Sequence, residues 1–165
     1  MLWIKTLAKQ IESTPLGVAI SQSPWMFPTF ETIHVMAIAL VVGSIAILDL
    51  RLLGLSWNRR PVLEVASEIL PWTWSAFAVA LVTGLLMFVS AASKYAVNPP
   101  FLLKMGLMAL AGLNMAVFHR VTFAQVEGWN RDARPPAAAR LAGAMSLLFW
   151  VGIVTCGRLI GFTIQ

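Results

Sequence analysis

The segment that most constrains the fold runs from Phe101 to Arg120 and has no charged residue between Lys104 and Arg120. A helix rises about 1.5 Å per residue, so this segment covers roughly 30 Å, the thickness of the hydrocarbon core of a bilayer. At about 100° per residue, five of its positions share one stripe; they are Met105, Met108, Gly112, Met115 and His119. The segment predicts a membrane-spanning helix whose inward stripe carries methionines and ends in an imidazole, although methionines at this spacing also commonly fill an apolar core.

Composition supports a membrane protein. The 165 residues are 59% hydrophobic and 12% charged, and no soluble domain of this size could bury so much apolar surface. The net charge of +5 does not indicate a nucleic-acid partner, because most Lys and Arg residues flank apolar segments instead of forming a basic patch. We therefore expect the protein to be surrounded mainly by the lipid bilayer.

Four apolar segments predict an all-α fold, an integral membrane four-helix bundle with an N-terminal interfacial amphipathic helix. The interfacial helix and a following loop occupy residues 1–26, and Trp3, Leu7 and Ile11 share one face of the helix. The bundle occupies residues 27–165, with spans at about 27–53, 72–93, 101–120 and 141–163. Pro71 is expected in the first turn of the second span, after a separate short amphipathic piece, Pro61–Leu70.

The loops predict an orientation. The two connections that follow the first and third spans hold seven basic residues, whereas the other side of the membrane holds three, Lys5, Lys9 and Lys94; the seven are Arg51, Arg59, Arg60, Arg120, Arg131, Arg134 and Arg140. Cytoplasmic loops carry an excess of Lys and Arg. We therefore expect both Arg-rich loops in the cytoplasm and both termini on the periplasmic side.

Centring each span in the bilayer predicts two polar layers. The outer layer holds His34, Lys104 and Arg158, with Glu31 one turn further out, and the soft side chains of Met87, Met105 and Cys156 fall at the same depth. The inner layer holds Asp49, Arg51, Trp74, His119 and Arg120. Plain ion pairs are one interpretation, Lys104 with Glu31 and Asp49 with Arg51 or Arg120, and the arginines near the span ends can also extend to the interface.

Two kinds of site fit the outer layer. Imidazole, thioether and thiolate are ligands that suit copper, and here His34, Met105, Met87 and Cys156 would supply them, with Met108, Met115 and His119 leading inward. Alternatively, His34 is an axial ligand of haem b in electron transfer with quinone, and Lys104 and Arg158 pair with the propionates. Cys156 and Arg158 lie about 200° apart on their helix, so only one of them can face the interior.

A third hypothesis is a cofactor-free channel or structural subunit that packs against copies of itself or another membrane protein through its glycine-containing faces. Nothing favours an enzyme, because no carboxylate is spaced to orient a histidine base and no glycine-rich phosphate loop is present. The single cysteine, Cys156, excludes an intrachain disulfide.

Several short motifs resemble those of a group of small bacterial inner-membrane proteins that are loosely similar to the CopD-type copper-resistance membrane proteins. They are His34 with Gly43, the run Asp49-Leu50-Arg51-Leu52-Leu53-Gly54, Asn98-Pro99, Phe101, Lys104, Asn114 and Phe118-His119-Arg120. The resemblance covers about residues 30–160. It implies a helical bundle in a bacterial inner membrane and a role in copper handling.

Overall fold

Long helices dominate the computed structural model, which describes residues 2–164. Met1 and Gln165, the outermost residues of the predicted N-terminal segment and bundle, lie outside this range. Four helices are long and apolar enough to cross a membrane, and the described residues contain no strand, so the predicted all-α membrane bundle is confirmed. The α-helices are α1 (Leu2–Glu12), α2 (Pro15–Gln22), α3 (Met26–Leu52), α4 (Val62–Ser90), α5 (Ala92–Tyr95), α6 (Pro99–Val117) and α7 (Ala137–Thr163).

The third span continues beyond α6 in a changed helical geometry. Phe118–Thr122 form a π-helix and Phe123–Gly128 a 3₁₀ helix, so the helical segment continues beyond Arg120, where the predicted span ends. At the other end, the Asn98 side chain accepts a hydrogen bond from the Phe101 amide at 3.0 Å, and Pro99 occupies the first turn. A capping side chain followed by proline is a common way for a helix to start.

The second span begins earlier than predicted. The short amphipathic piece and the apolar segment form one continuous helix, α4, with Pro71 inside it. Proline lacks an N–H group and usually ends or kinks a helix. Here the residues before it remain helical because Val62, Val65 and Ala66 are buried on the inward face of the same helix.

The four spans pack in a ring with one weak side. Helix α3 packs extensively on α4 and also contacts α7, and α7 packs on α6, whereas α4 and α6 make little direct contact. At one end of the bundle an aromatic cluster bridges α4 and α6, since Phe88 stacks on Phe101 with ring centroids 5.6 Å apart and Tyr95 contacts both rings. Further along the bundle the two helices are separated.

A buried arginine closes the opposite end, which we call the Arg-rich end because its loops, 53–61 and 129–136, carry Arg59, Arg60, Arg131 and Arg134. The Arg51 side chain is fully buried. It donates hydrogen bonds to the carbonyl oxygens of Arg60 at 2.8 Å, Asp132 at 3.1 Å and Asn130 at 3.4 Å. Because these carbonyls belong to both loops, Arg51 joins the loops and fixes the helix ends that they connect.

The N-terminal helices lie at the other end of the bundle, which we call the α1 end. The Glu12 carboxylate accepts hydrogen bonds from the backbone amide (2.9 Å) and hydroxyl (2.8 Å) of Ser93 in α5. On α1, Ala8 is buried whereas Trp3, Leu7 and Ile11 are exposed. An exposed apolar face on a helix held across the end of a membrane bundle is typical of an interfacial helix.

Candidate functional site

A cavity of about 190 Å³ lies where α4 and α6 diverge, toward the Arg-rich end. Side chains from all four spans line it. Most of them are apolar, and the few polar ones converge from α3, α4, α6 and α7: Asp49, Thr73, Asn114, His119 and Ser146. An apolar cavity with a small number of placed polar groups is the usual form of a small-molecule site.

Asp49 is the central polar group of the cavity. It is 5% exposed, and its Oδ2 atom has no hydrogen-bond partner. Ser146 of α7 lines the same cavity as this carboxyl group. A buried polar atom without a partner costs about 1–3 kcal/mol, and more for a charged group, and among the three such atoms of the described residues only Oδ2 of Asp49 belongs to a residue of the cavity wall.

His119 lies in the π-helix beside this cavity. Its Nδ1 atom is 3.0 Å from the carbonyl oxygen of Met115. A carbonyl oxygen only accepts hydrogen bonds, so Nδ1 carries the proton and Nε2 of the neutral ring is an acceptor. Single-turn π-helices inside α-helical segments are often found at functional sites, and this one holds Phe118 and His119, which both line the cavity.

The remaining polar groups of the cavity are partly used within the bundle. Asn114 donates from Nδ2 to the carbonyl oxygen of Ala142 at 3.0 Å, which links α6 to α7 and leaves its Oδ1 atom as an acceptor. The Thr73 hydroxyl donates to the Ser44 hydroxyl at 2.8 Å in the buried α3–α4 interface. These bonds hold the cavity walls in place.

Aromatic and sulfur-containing side chains form much of the apolar wall; they are Trp74, Phe77, Met108, Met115, Phe118 and Trp150. Trp74 is 53% exposed although it lines the cavity. Part of the cavity wall is therefore exposed on the surface of the bundle, on the side where α4 and α6 are separated.

A second polar group, which we call the outer cluster, consists of His34, Thr83, Lys104 and Cys156, one residue from each span. Nδ1 of His34 donates to the carbonyl oxygen of Ala80 at 2.9 Å and lies 3.0 Å from the Thr83 hydroxyl. The ring packs directly on Gly84, where a Cβ atom would lie 3.0 Å from Cε1 of His34. Nε2 of His34 is therefore left with a free lone pair in the neutral ring.

Lys104 brings a positive charge to the outer cluster. Its ammonium group lies close enough to His34 and Cys156 to interact with both electrostatically. A Cβ atom at Gly157 would lie 3.8 Å from its Nζ atom. The described residues place no carboxylate within 4.0 Å of this ammonium, so the suggested pair with Glu31 is not formed.

Other predicted site residues lie apart from this cluster. Met105 is 47% exposed, on the outer face of α6. Arg158 is also exposed and stacks on Phe162, with Cζ 5.2 Å from the ring centroid. Cys156 is buried, so of Cys156 and Arg158 it is the cysteine that faces the interior. Met87 is half-buried on α4.

The remaining members of the predicted polar layers separate in a similar way. Glu31 is exposed near Tyr95, where burial and then the negative charge of Glu31 raise the pKa of the tyrosine. Arg51 is turned to the loops, Arg120 is exposed, and neither forms an ion pair with Asp49. Within the part of the chain that is described, no three His, Cys, Asp or Glu side chains converge to hold a metal ion.

Four of the five residues in the stripe predicted on the third span line the cavity. Met108, Gly112, Met115 and His119 line the cavity, and Met105 does not. Sequence reasoning missed Ser146, Trp150 and Thr73. The cavity-lining residues of α7 recur at helical spacing; they are Ala142, Ser146, Trp150 and Ile153. Ser146 is the one residue among them with a hydroxyl group, and this pattern could have identified it from the sequence.

Comparison with known proteins places the chain in a family. No curated protein and no solved structure matches it. Residues 11–163 match a family described as "Family of unknown function (DUF6644)", a range that includes the whole cavity and the outer cluster. The chain therefore belongs to the DUF6644 family.

Proposed function

We propose that this membrane protein binds a small amphipathic molecule, which enters the cavity from the bilayer. The observation that carries the proposal is the unpaired Oδ2 atom of Asp49, a residue that lines a largely apolar cavity. An ionisable group inside a membrane bundle is energetically costly and commonly marks a functional site. A ligand with a complementary polar head would remove that cost.

The size of the cavity suits the head group of such a molecule. An apolar cavity of about 150 Å³ accommodates a benzene ring, and this one is about 190 Å³. The separation of α4 from α6 gives a longer apolar tail a way out into the bilayer, beside the half-exposed ring of Trp74. The polar head would then lie against Asp49 and Ser146.

Two glycines on α6 provide a matched test. Gly112 lines the cavity and Gly106 does not, and a Cβ atom at either position would meet no atom within 4 Å. We expect Gly112→Leu to fill the cavity and Gly106→Leu to leave it open. The probes are 4-octylbenzylamine and 4-octylbenzyl alcohol, radiolabelled and measured against protein in lipid nanodiscs, with empty nanodiscs as the baseline.

The prediction is saturable binding of at least one probe to the wild type and to Gly106→Leu, with at least a roughly tenfold loss of affinity in Gly112→Leu. Equal affinity in the two variants would place any binding outside the cavity. Absence of saturable binding to the wild type would remove the proposal.

We further propose a bacterial inner membrane as the location, with the Arg-rich end in the cytoplasm and the α1 end in the periplasm. The excess of Lys and Arg in loops 53–61 and 129–136 supports this orientation. Arg59 is exposed at one end and Lys5 at the other. In intact cells, a membrane-impermeant maleimide should label Lys5→Cys and not Arg59→Cys, and the reverse labelling would overturn the orientation.

A second candidate is a redox cofactor at His34, either copper or haem b. The free Nε2 atom supports it, because a ligating imidazole commonly donates its other N–H group to a carbonyl oxygen. Cys156 faces the interior nearby and would be a soft ligand. The Lys104 charge opposes a bare copper ion and suits an anionic haem propionate.

Elemental analysis and a visible spectrum of the purified protein test this candidate. Copper or a Soret band that is lost in His34→Ala and kept in His119→Ala would support it. A colourless, copper-free wild type that binds neither added copper nor added haemin would exclude it.

A further inference from the structure

We propose that the cavity is selective for a protonated amine and that the bound amine replaces the proton on Asp49. This inference rests on the proposed binding function and adds the chemical class of the ligand. It also makes binding depend on pH, because a proton is released for each amine that binds.

Three free hydrogen-bond acceptors belong to residues that line the cavity. They are Oδ2 of Asp49, Oδ1 of Asn114 and, in the neutral ring, Nε2 of His119. The Thr73 hydroxyl donates to Ser44, whereas Trp74 and Trp150, whose indole rings each carry an N–H donor, also line the cavity. A head group with several N–H donors can pair with all three acceptors, whereas a carbonyl or ether can donate to none of them.

The charges around Asp49 also favour a cation. On its own helix, Arg51 is directed away, into the carbonyls of the two loops. His119 is the only titratable residue that the third span adds to the lining, and the lining residues of α4 and α7 include none. Among the described residues, Asp49 therefore has no permanent counter-ion, and its charge is balanced by a proton or by a ligand.

The aromatic wall adds attraction for the same kind of ligand. Trp74, Phe77 and Trp150 line the cavity together with Asp49. The faces of aromatic rings attract ammonium groups, more strongly where water is excluded. A carboxyl group within an aromatic wall thus supplies both a counter-ion and a lining for an organic cation.

The exchange is balanced as one proton for one ammonium. Before binding, the carboxyl group of Asp49 holds its proton, because an uncompensated charge inside the membrane is costly. When R–NH₃⁺ enters, the O–H bond of Asp49 breaks, the proton leaves to water, and a carboxylate–ammonium pair remains. No electron is transferred and no covalent bond to the ligand forms.

The amine and alcohol probes test this selectivity, since they differ only in the head group. In wild-type nanodiscs we expect 4-octylbenzylamine to bind roughly tenfold or more tightly than the alcohol. A pH indicator in weakly buffered solution should record about one proton released per amine bound and none for the alcohol. Asp49→Asn should abolish both the preference and the proton release.

Two further variants keep the result interpretable. Glu127→Gln removes an exposed carboxyl near the Arg-rich end and should behave as the wild type. Asp49→Glu keeps the carboxyl and should keep the amine preference. If Asp49→Asn still binds the alcohol, the variant is folded. If Asp49→Asn has lost alcohol binding, retention of the amine preference in Asp49→Glu supports the proposal.

The outcomes separate the inference from the function on which it rests. If the wild type binds both probes equally and Gly112→Leu abolishes both, the binding function stands and the amine selectivity is wrong. If Asp49→Asn still prefers the amine, Asp49 is not its counter-ion and the inference is overturned. If neither probe binds the wild type, both proposals fail.

Discussion

Two buried charged residues near the Arg-rich end differ in how their hydrogen-bonding groups are satisfied. Arg51 donates to three backbone carbonyls and leaves its Nη1 atom without a partner, whereas Asp49, two residues earlier, has an unpaired carboxyl oxygen and lines the cavity. The bonds of Arg51 join the two loops, whereas Asp49 lies among the residues that line the cavity, and Arg51 does not. The two residues therefore have different roles although the sequence presents them in one motif.

Substituting Arg51 by methionine should destabilise the protein. It leaves three carbonyl oxygens without their charged donor, a loss of about 2–4 kcal/mol, and separates the two loops that the guanidinium group joins. Thermal unfolding in detergent, followed by circular dichroism, measures the effect. The exposed Arg59 supplies the control, since Arg59→Met should melt with the wild type; equal melting of both variants would contradict the assigned role of Arg51.

A second residue-scale prediction concerns Gly84, against which the His34 ring packs. A methyl group at this position would lie 3.0 Å from Cε1 of His34 and would displace the ring from its bond to Ala80. We expect Gly84→Ala to cost about 1–3 kcal/mol in unfolding free energy. Gly106→Ala adds the same methyl group in open space and should have almost no effect, so a similar loss in both variants would refute the argument.

At the scale of elements, sequence reasoning placed the spans along the membrane better than it set their rotation. The four spans are where their length and apolar composition predicted, apart from shifted ends. The rotation of α6 is different: Lys104, Ala111 and Asn114 are more buried than Met105. Lipid-facing residues are as apolar as core residues, so the hydrophobic pattern that orients a soluble helix is weak here.

The α3–α7 crossing is the element contact that supports Asp49. A Cβ atom at Gly143 would lie 3.1 Å from the carbonyl oxygen of Asp49, and backbone cannot turn aside as a side chain can. Gly143→Ala should therefore separate the helices, lower stability by about 1–3 kcal/mol and weaken probe binding. Gly161→Ala on the same helix meets no atom within 4 Å and is the control. An unchanged melting temperature in Gly143→Ala would show that the crossing is loose.

At the scale of the whole molecule, the cavity is a consequence of how four spans close a ring. Three sides of the ring are packed, and the fourth is held together at the α1 end by Phe88, Tyr95 and Phe101. The sequence predicted four spans and placed Asp49 and His119 at one depth. It could not predict which spans are neighbours, because that depends on contacts between residues far apart in the chain, such as Asn114 with Ala142.

The central claim, that the cavity beside Asp49 receives a molecule from the bilayer, is tested most directly by photo-crosslinking. A 4-octylbenzylamine probe that carries a diazirine on the benzyl ring is irradiated with the protein in nanodiscs, and the labelled residues are identified by mass spectrometry. The account predicts label on Asp49 and on the cavity wall at Trp74, Met108 and Met115, removed by excess unlabelled amine and by Gly112→Leu. Label confined to lipid-facing positions such as Leu102 and Leu103, and unaffected by competitor, would contradict it.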